Sequence, residues 1–214
     1  MPVPFIGLTG PSGAGKTTAA RILASLGCAV IDCDALAREI VRPGSPVLPK
    51  LAARFGTDIC KGPDLDRALL AERAFENEKA RQDLNSITHP AITELALERA
   101  KALQGYRAIV LDAAALLESE LAALCRYILI ITAPEELRLR RLLARGGVSE
   151  QNARRRIEAQ RRMDFYAGAK GMIIQNEGTE EALRLEIEKA FYAMAGSTGA
   201  VFGGAAPASF PPEG

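Results

Sequence analysis

"GLTGPSGAGKTTAARIL", Gly7 to Leu23, decides how the rest of the chain is read. Residues Gly10-Pro11-Ser12-Gly13-Ala14-Gly15-Lys16-Thr17 satisfy the pattern G-x-x-x-x-G-K-[ST] in full. Glycines at 10, 13 and 15 admit backbone angles closed to other residues. The main-chain N–H groups between Gly10 and Thr18, those of Ser12 and Ala14 among them, can then turn inward at phosphate oxygens. The helix that begins near Lys16 adds the positive end of its dipole. In that geometry Lys16 reaches the terminal phosphates of ATP, and the Thr17 hydroxyl holds Mg²⁺. The apolar run Phe5–Thr9 supplies a strand before the loop, and Ala19–Leu26 a helix after it. The motif therefore stands in the strand–loop–helix context that gives it meaning.

Working outward, short β-branched runs alternate with longer helical stretches. Strands are expected at Phe5–Thr9, Ala29–Asp32, Ala108–Asp112, Tyr127–Thr132 and Met172–Gln175, each a nearly continuous apolar run suited to a strand covered on both faces. Helices are expected at Lys16–Ser25, Val47–Phe55, Ile92–Leu103, Pro134–Ala144, Ser149–Met163 and Thr179–Met194. Pro134 suits a first helical turn and Ser149 an N-cap. The alternation predicts a three-layer α/β domain with a five-stranded, mostly parallel sheet. About 75 residues, Cys33 to Arg107, separate the second and third strands and read as helical or irregular throughout. We expect one domain over residues 1–195, with a helical lobe at about 45–104 and a helical lid at about 138–163. The Gly-, Pro- and Ala-rich segment 196–214 reads as a flexible tail.

Composition narrows the partners. The 214 residues carry a formal net charge of +1, which gives no overall pull towards nucleic acid or anionic membranes. There is no Trp and only 5% aromatic residues, so platforms for stacking single-stranded bases are not expected. No apolar run approaches a membrane span, and no signal-peptide pattern opens the chain. The four cysteines, Cys28, Cys33, Cys60 and Cys125, have no metal-ligand spacing. Cys28 and Cys33 flank a strand as small buried hydrophobes. A reduced, cytoplasmic protein is the expectation.

Beyond the loop, "VIDCDALAREI" (Val30 to Ile40) puts Asp32 and Asp34 at the carboxyl edge of the second strand, where ligands of open α/β sheets sit. If the chain stays extended, both carboxylates point the same way, and one can accept the proton of an attacking hydroxyl. The competing reading has Asp32 capping a helix and Asp34 solvated in its first turn. Asp112, ending the third strand, is a candidate for the Mg²⁺ hydration shell on the acceptor side. His89 is the one histidine, and preceding Pro90 places it at a corner, away from helical angles. Nine arginines fall between Arg138 and Arg162, and Arg138, Arg141 and Arg145 share one helical face. With "ARGG" (Ala144 to Gly147) as a hinge, they suggest a lid that closes over ATP and stabilises the transferring phosphoryl group. A solvated basic face or an RNA contact is the plainer reading.

Together "IGLTGPSGAGKTTAARILASLGCAVIDCDALAREIVRPGSP", "LDRALLAERAFENEKARQDLNSITHPAI", "VLDAAALLESEL" and "QNEG" resemble the dephospho-coenzyme A kinases, a family of P-loop kinases of small molecules. The likeness runs from about Phe5 to Phe191. It implies transfer of the γ-phosphate of ATP to the ribose 3′-hydroxyl of dephospho-coenzyme A, the last step of coenzyme A synthesis. It implies Asp34 as general base, His89 as an acceptor contact, and Arg141 or Arg140 as a lid arginine near the phosphates. Asn176 and Gly178 would lie near adenine. Where that family has a basic residue and then Ala-Asp before the last strand, this chain has "FYAGAKGMI", with Tyr166 and Gly171 at those places. Two other readings stand beside it: a kinase of another small hydroxyl acceptor, and a nucleotide-dependent switch. The N-K-x-D guanine signature of a GTP switch does not occur in the sequence.

Overall fold

The computed structural model describes residues 3–161 and 171–196. Arg162, Met163, Tyr166 and the segment 197–214 lie outside the described residues. The chain divides into two compact units, one of residues up to Ile31 and from Ala102 onward, the other Asp32–Lys101.

The first unit is built on a sheet of five strands among the described residues: β1 (Phe5–Thr9), β2 (Ala29–Asp32), β5 (Ile109–Asp112), β6 (Tyr127–Thr132) and β7 (Met172–Gln175), in the order β2-β5-β1-β6-β7. β1 lies parallel to β5 and to β6, and β6 lies parallel to β7. The inner strands β5, β1 and β6 are apolar runs whose two faces both find cover. Ile6 and Leu8 are fully buried under α1 (Lys16–Ser25) and α9 (Glu180–Gly196), with Ile22, Leu23, Ile187 and Phe191 completing that core. Alternation turns Gly7 to the opposite face, where Leu116 and Cys125 pack so closely that a β-carbon would collide with them. Helix α6 (Leu121–Leu124) lies on the same side of the sheet, and its Leu121 carbonyl accepts from the Cys125 thiol at 3.2 Å. The result is a three-layer α/β architecture.

The outer strands depart from the expectation of cover on both faces. β2 alternates buried and exposed residues, and in β7 Met172 and Ile173 are about half exposed while Ile174 is buried. An edge strand has one hydrogen-bonded neighbour, and its second face is not closed over. Two helices follow β6. In α7 (Glu135–Ala144) Pro134 stands at the N-cap position, one residue before the first turn expected for it. In α8 (Glu150–Arg161) Ser149 caps as expected, its hydroxyl accepting from Asn152 N–H at 3.3 Å. Burial pushes the Cys28 and Cys125 thiols up to about 12, so both behave as small apolar groups.

The second unit contains α2 (Cys33–Glu39), α3 (Val47–Phe55), β3 (Cys60–Lys61), β4 (Asp64–Leu65), α4 (Arg67–Ala74) and α5 (Glu78–Lys101). Its core gathers Leu48, Leu51, Phe55, Ile59, Leu70 and Ala74, with Leu84, Ile87, Ile92 and Leu95 of α5 against them. Three expectations are corrected here. The segment is not wholly helical or irregular: β3 and β4 form an antiparallel hairpin, whose two-residue strands are too short to show a period. Helix α5 is not confined to 92–103. It starts after Asn77, whose side chain accepts from Ala80 N–H at 2.8 Å, and runs through Pro90. His89 therefore sits inside a helix, partly buried, and not at a corner. Pro90 removes one backbone donor, but the apolar residues on either side of it, Leu84 to Leu95, share one core and carry the helix past the break. Among the described residues no helix is long and apolar enough to cross a membrane.

Candidate functional site

The loop from Gly10 to Lys16 connects β1 to α1, and its three glycines adopt positive φ angles of +151°, +81° and +107° at 10, 13 and 15. At Gly13 a β-carbon would strike the backbone of Arg138, and at Gly15 it would strike the amide of Asn176. Glycine is thus needed at both for conformation and for space. Gly15 occupies the N-cap position of α1, and there is no side-chain cap and no acidic residue in the first turn. The N-terminal end of α1 therefore suits an outside anion.

Lys16 and Asp112 form an ion pair, Nζ to Oδ1, with both side chains mostly buried. Register explains the meeting: Asp112 ends β5 beside Leu8 of β1, two residues before the loop opens. Thr17 is exposed in the first turn of α1, so its hydroxyl is open to a ligand. Asn176 follows β7 and is 5% exposed. Its Nδ2 donates to the Ala14 carbonyl at 2.7 Å and its Oδ1 accepts from Arg141 at 3.4 Å. Arg141 also donates to the Ala14 carbonyl at 3.3 Å, and burial pulls its guanidinium pKa below the ordinary value. A cavity of about 360 Å³ opens beside these groups, lined by Gly13, Gly15, Thr18, Arg141, Asn176 and Gly178 among others.

The structure thus brings together Ser12, Gly13, Ala14, Gly15, Lys16, Asp112, Arg141 and Asn176, with Thr18 and Gly178 on the cavity wall. Of the two lid arginines considered, Arg141 meets the loop whereas Arg140 is exposed, as are Arg154, Arg155 and Arg156. One residue, Gln160, was missed, and the contact that Arg138 makes with the loop was not foreseen. Arg138, only 6% exposed, donates Nε–H to the Ser12 carbonyl at 2.9 Å, and Gln160 accepts from Ser12 N–H at 3.0 Å. The spacing that puts Arg138 on the Arg141 face is legible in the sequence, but its contact with Ser12 is not. Gln160 offered no signal.

In the second unit the chain does not stay extended after β2, which decides between the two readings of Asp32 and Asp34 in favour of the helix cap. Asp32 caps α2, its Oδ1 accepting from Ala35 N–H at 2.8 Å, and Asp34 lies in the first turn. Asp34 and His89 both belong to this unit, on α2 and α5, which pack together.

Comparison with known proteins follows the same lines. Residues 4–181 match the family model of dephospho-CoA kinase. The chain is 40% identical to the dephospho-CoA kinase of Syntrophotalea carbinolica over 85% of its length and 88% of that protein's. It is 42% identical to the dephospho-CoA kinase of Corynebacterium glutamicum over 86% of its length and 94% of that protein's. A crystal structure of a Thermus thermophilus protein is similar with a TM-score of 0.74 at 28% identity, covering 92% of this chain and 99% of that one. With its loop, its parallel sheet and these relatives, the chain belongs to the dephospho-CoA kinase family.

Proposed function

We propose that the protein transfers the γ-phosphoryl group of ATP to the ribose 3′-hydroxyl of dephospho-coenzyme A, giving coenzyme A and ADP. The family supplies the reaction, and the loop supplies the observation that carries its donor half. Glycine-held N–H groups stand before a helix whose end has no side-chain cap. Those N–H groups and Lys16 bind the phosphates, and Asn176 and Gly178 line the cavity that takes the adenine side of ATP. Lys16 leaves its pairing with Asp112 to meet the terminal phosphates, which frees an Asp112 carboxylate oxygen for the hydrated metal or the acceptor.

The residues present suit Mg²⁺ bound mainly through substrate phosphates and water. Thr17 would hold it through an exposed hydroxyl, with Asp112 as the nearest carboxylate to the loop lysine. When bound, the ion neutralises charge on the β- and γ-phosphate oxygens. Asp34 accepts the proton of the 3′-hydroxyl as its oxygen bonds to the γ-phosphorus and the bond from that phosphorus to ADP breaks. His89 binds the acceptor. Arg141 also stabilises charge on the transferring group as the helices α7 and α8 close.

An ADP-release assay tests this reading by offering ATP with dephospho-coenzyme A, adenosine, nucleoside monophosphates or shikimate. We expect turnover with dephospho-coenzyme A to exceed the rest by about a hundredfold or more, the margin of a site built to pair with one acceptor's polar groups. Equal turnover with any other acceptor would sink it.

A further inference from the structure

Ser12 is held on three sides. Its carbonyl accepts from Arg138 Nε at 2.9 Å, its N–H donates to Gln160 Oε1 at 3.0 Å, and its hydroxyl accepts from Gln160 Nε2 at 3.3 Å. The ring closes where Arg138 Nη2 donates to the same Gln160 oxygen at 2.8 Å. One amide thus ties the phosphate loop to both α7 and α8. Those helices share a small apolar core of their own, Leu139, Leu142, Ala153 and Ile157. Arg138 is buried, so its charge needs acceptors, and Ser12 and Gln160 provide two. Gly13, the next residue, lies so near the Arg138 backbone that a β-carbon would not fit. A shift of α8 must therefore be felt at the loop, either through Gln160 directly or through Arg138.

We propose that Gln160 is a positioning residue for phosphate binding, acting through Ser12 and Arg138. It holds the Ser12 N–H while Arg138 holds the Ser12 carbonyl, so the pair fixes the peptides on both sides of Ser12 and with them the aim of the Gly13 N–H. The proposal rests on the donor site described above. It concerns no group that touches the reacting atoms. An amide suits the position because it accepts from two donors and donates to a third group, which neither a carboxylate nor an apolar side chain does. Glutamate keeps the acceptor oxygen, while methionine keeps the length and loses both polar functions.

Three variants, Gln160→Met, Gln160→Glu and Lys16→Ala, are compared by steady-state kinetics and by equilibrium binding of ATP. For Gln160→Met we expect the KM and Kd for ATP to rise about tenfold, the size expected when a partly buried charge-assisted hydrogen bond is lost. The KM for dephospho-coenzyme A should stay unchanged, and Gln160→Glu should restore most of the ATP affinity. An unchanged ATP affinity in Gln160→Met overturns the proposal. So does an equal rise in both KM values that Gln160→Glu fails to rescue, because that marks a general loss of structure. Lys16→Ala separates the two readings. If it leaves ATP binding intact, the donor site itself is misassigned. If it weakens binding while Gln160→Met does not, the positioning role alone fails.

Discussion

Helix α1 and helix α4 begin in opposite ways. At α4 the chain supplies its own stopper: Asp66 Oδ1 accepts from Leu69 N–H at 3.0 Å, and Lys61 pairs with the same carboxylate at 2.7 Å. Helix α2 is closed likewise by Asp32. At α1 a left-handed glycine stands in the cap position, and there is no side-chain cap and no acid in the first turn. A helix that only has to be stable can satisfy its first N–H groups with a side chain, as α4 and α2 do. One that has to hold an anion keeps them available and accepts a weaker end. The missing cap is not by itself the mark of a binding element, since α3 also begins without a side-chain cap or a first-turn acid; at α1 it coincides with the glycine-rich loop.

The largest effect that probes this contrast comes from the two reacting sides. Lys16→Ala should lower kcat/KM about a thousandfold, because it removes a cation aimed at developing phosphate charge. Asp34→Asn, assigned as the base, should lower kcat about a hundredfold and leave ATP binding as it is. Near-normal turnover in Asp34→Asn would take the base role from that residue.

At the scaffold end the effect is smaller and of another kind. Asp66→Ala should lower the thermal midpoint by a few degrees and leave the KM for ATP unchanged. A change in that KM would erase the distinction between the two helix ends. Acid probes the same unit more gently. Asp58, Asp66, Glu78 and Asp83, all in the second unit, are held below the usual carboxylate range by Arg73, Lys61, Arg81 and Arg54 in turn. A carboxylate with a depressed folded pKa stabilises the fold above its unfolded value, about pH 4, and loses that contribution as pH falls through the folded value. Stability should therefore decline below about pH 4, and less so at high salt, since Asp58 and Glu78 are exposed and Asp66 and Asp83 only partly buried. A rise in thermal midpoint over that interval would contradict the assignment.

Legibility followed the range of the forces involved. The bounds of β1, β2, β6 and β7 and of α1 and α3 could be read from local apolar runs and a glycine-rich loop. Helix α5 could not, because Pro90 is a strong local stop that a shared core on both sides overrides. The β3–β4 hairpin escaped notice because two-residue strands show no alternation. For Asp32, capping was one of two open readings, and a single hydrogen bond to Ala35 N–H decides it. The loop's own chemistry was plain from Gly10 to Thr17. Its bracing was not, since Arg138 and Gln160 meet Ser12 from 126 and 148 residues away in sequence. Such contacts depend on how α7 and α8 pack, and no local pattern encodes that.

The most direct measurement follows labelled γ-phosphate from ATP in a single turnover, with dephospho-coenzyme A and with its 3′-deoxy analogue. Label should appear on dephospho-coenzyme A and not on the analogue, while both reactions retain the same ATP affinity. Label on the 3′-deoxy compound, or none on either, would contradict transfer to the ribose 3′-hydroxyl.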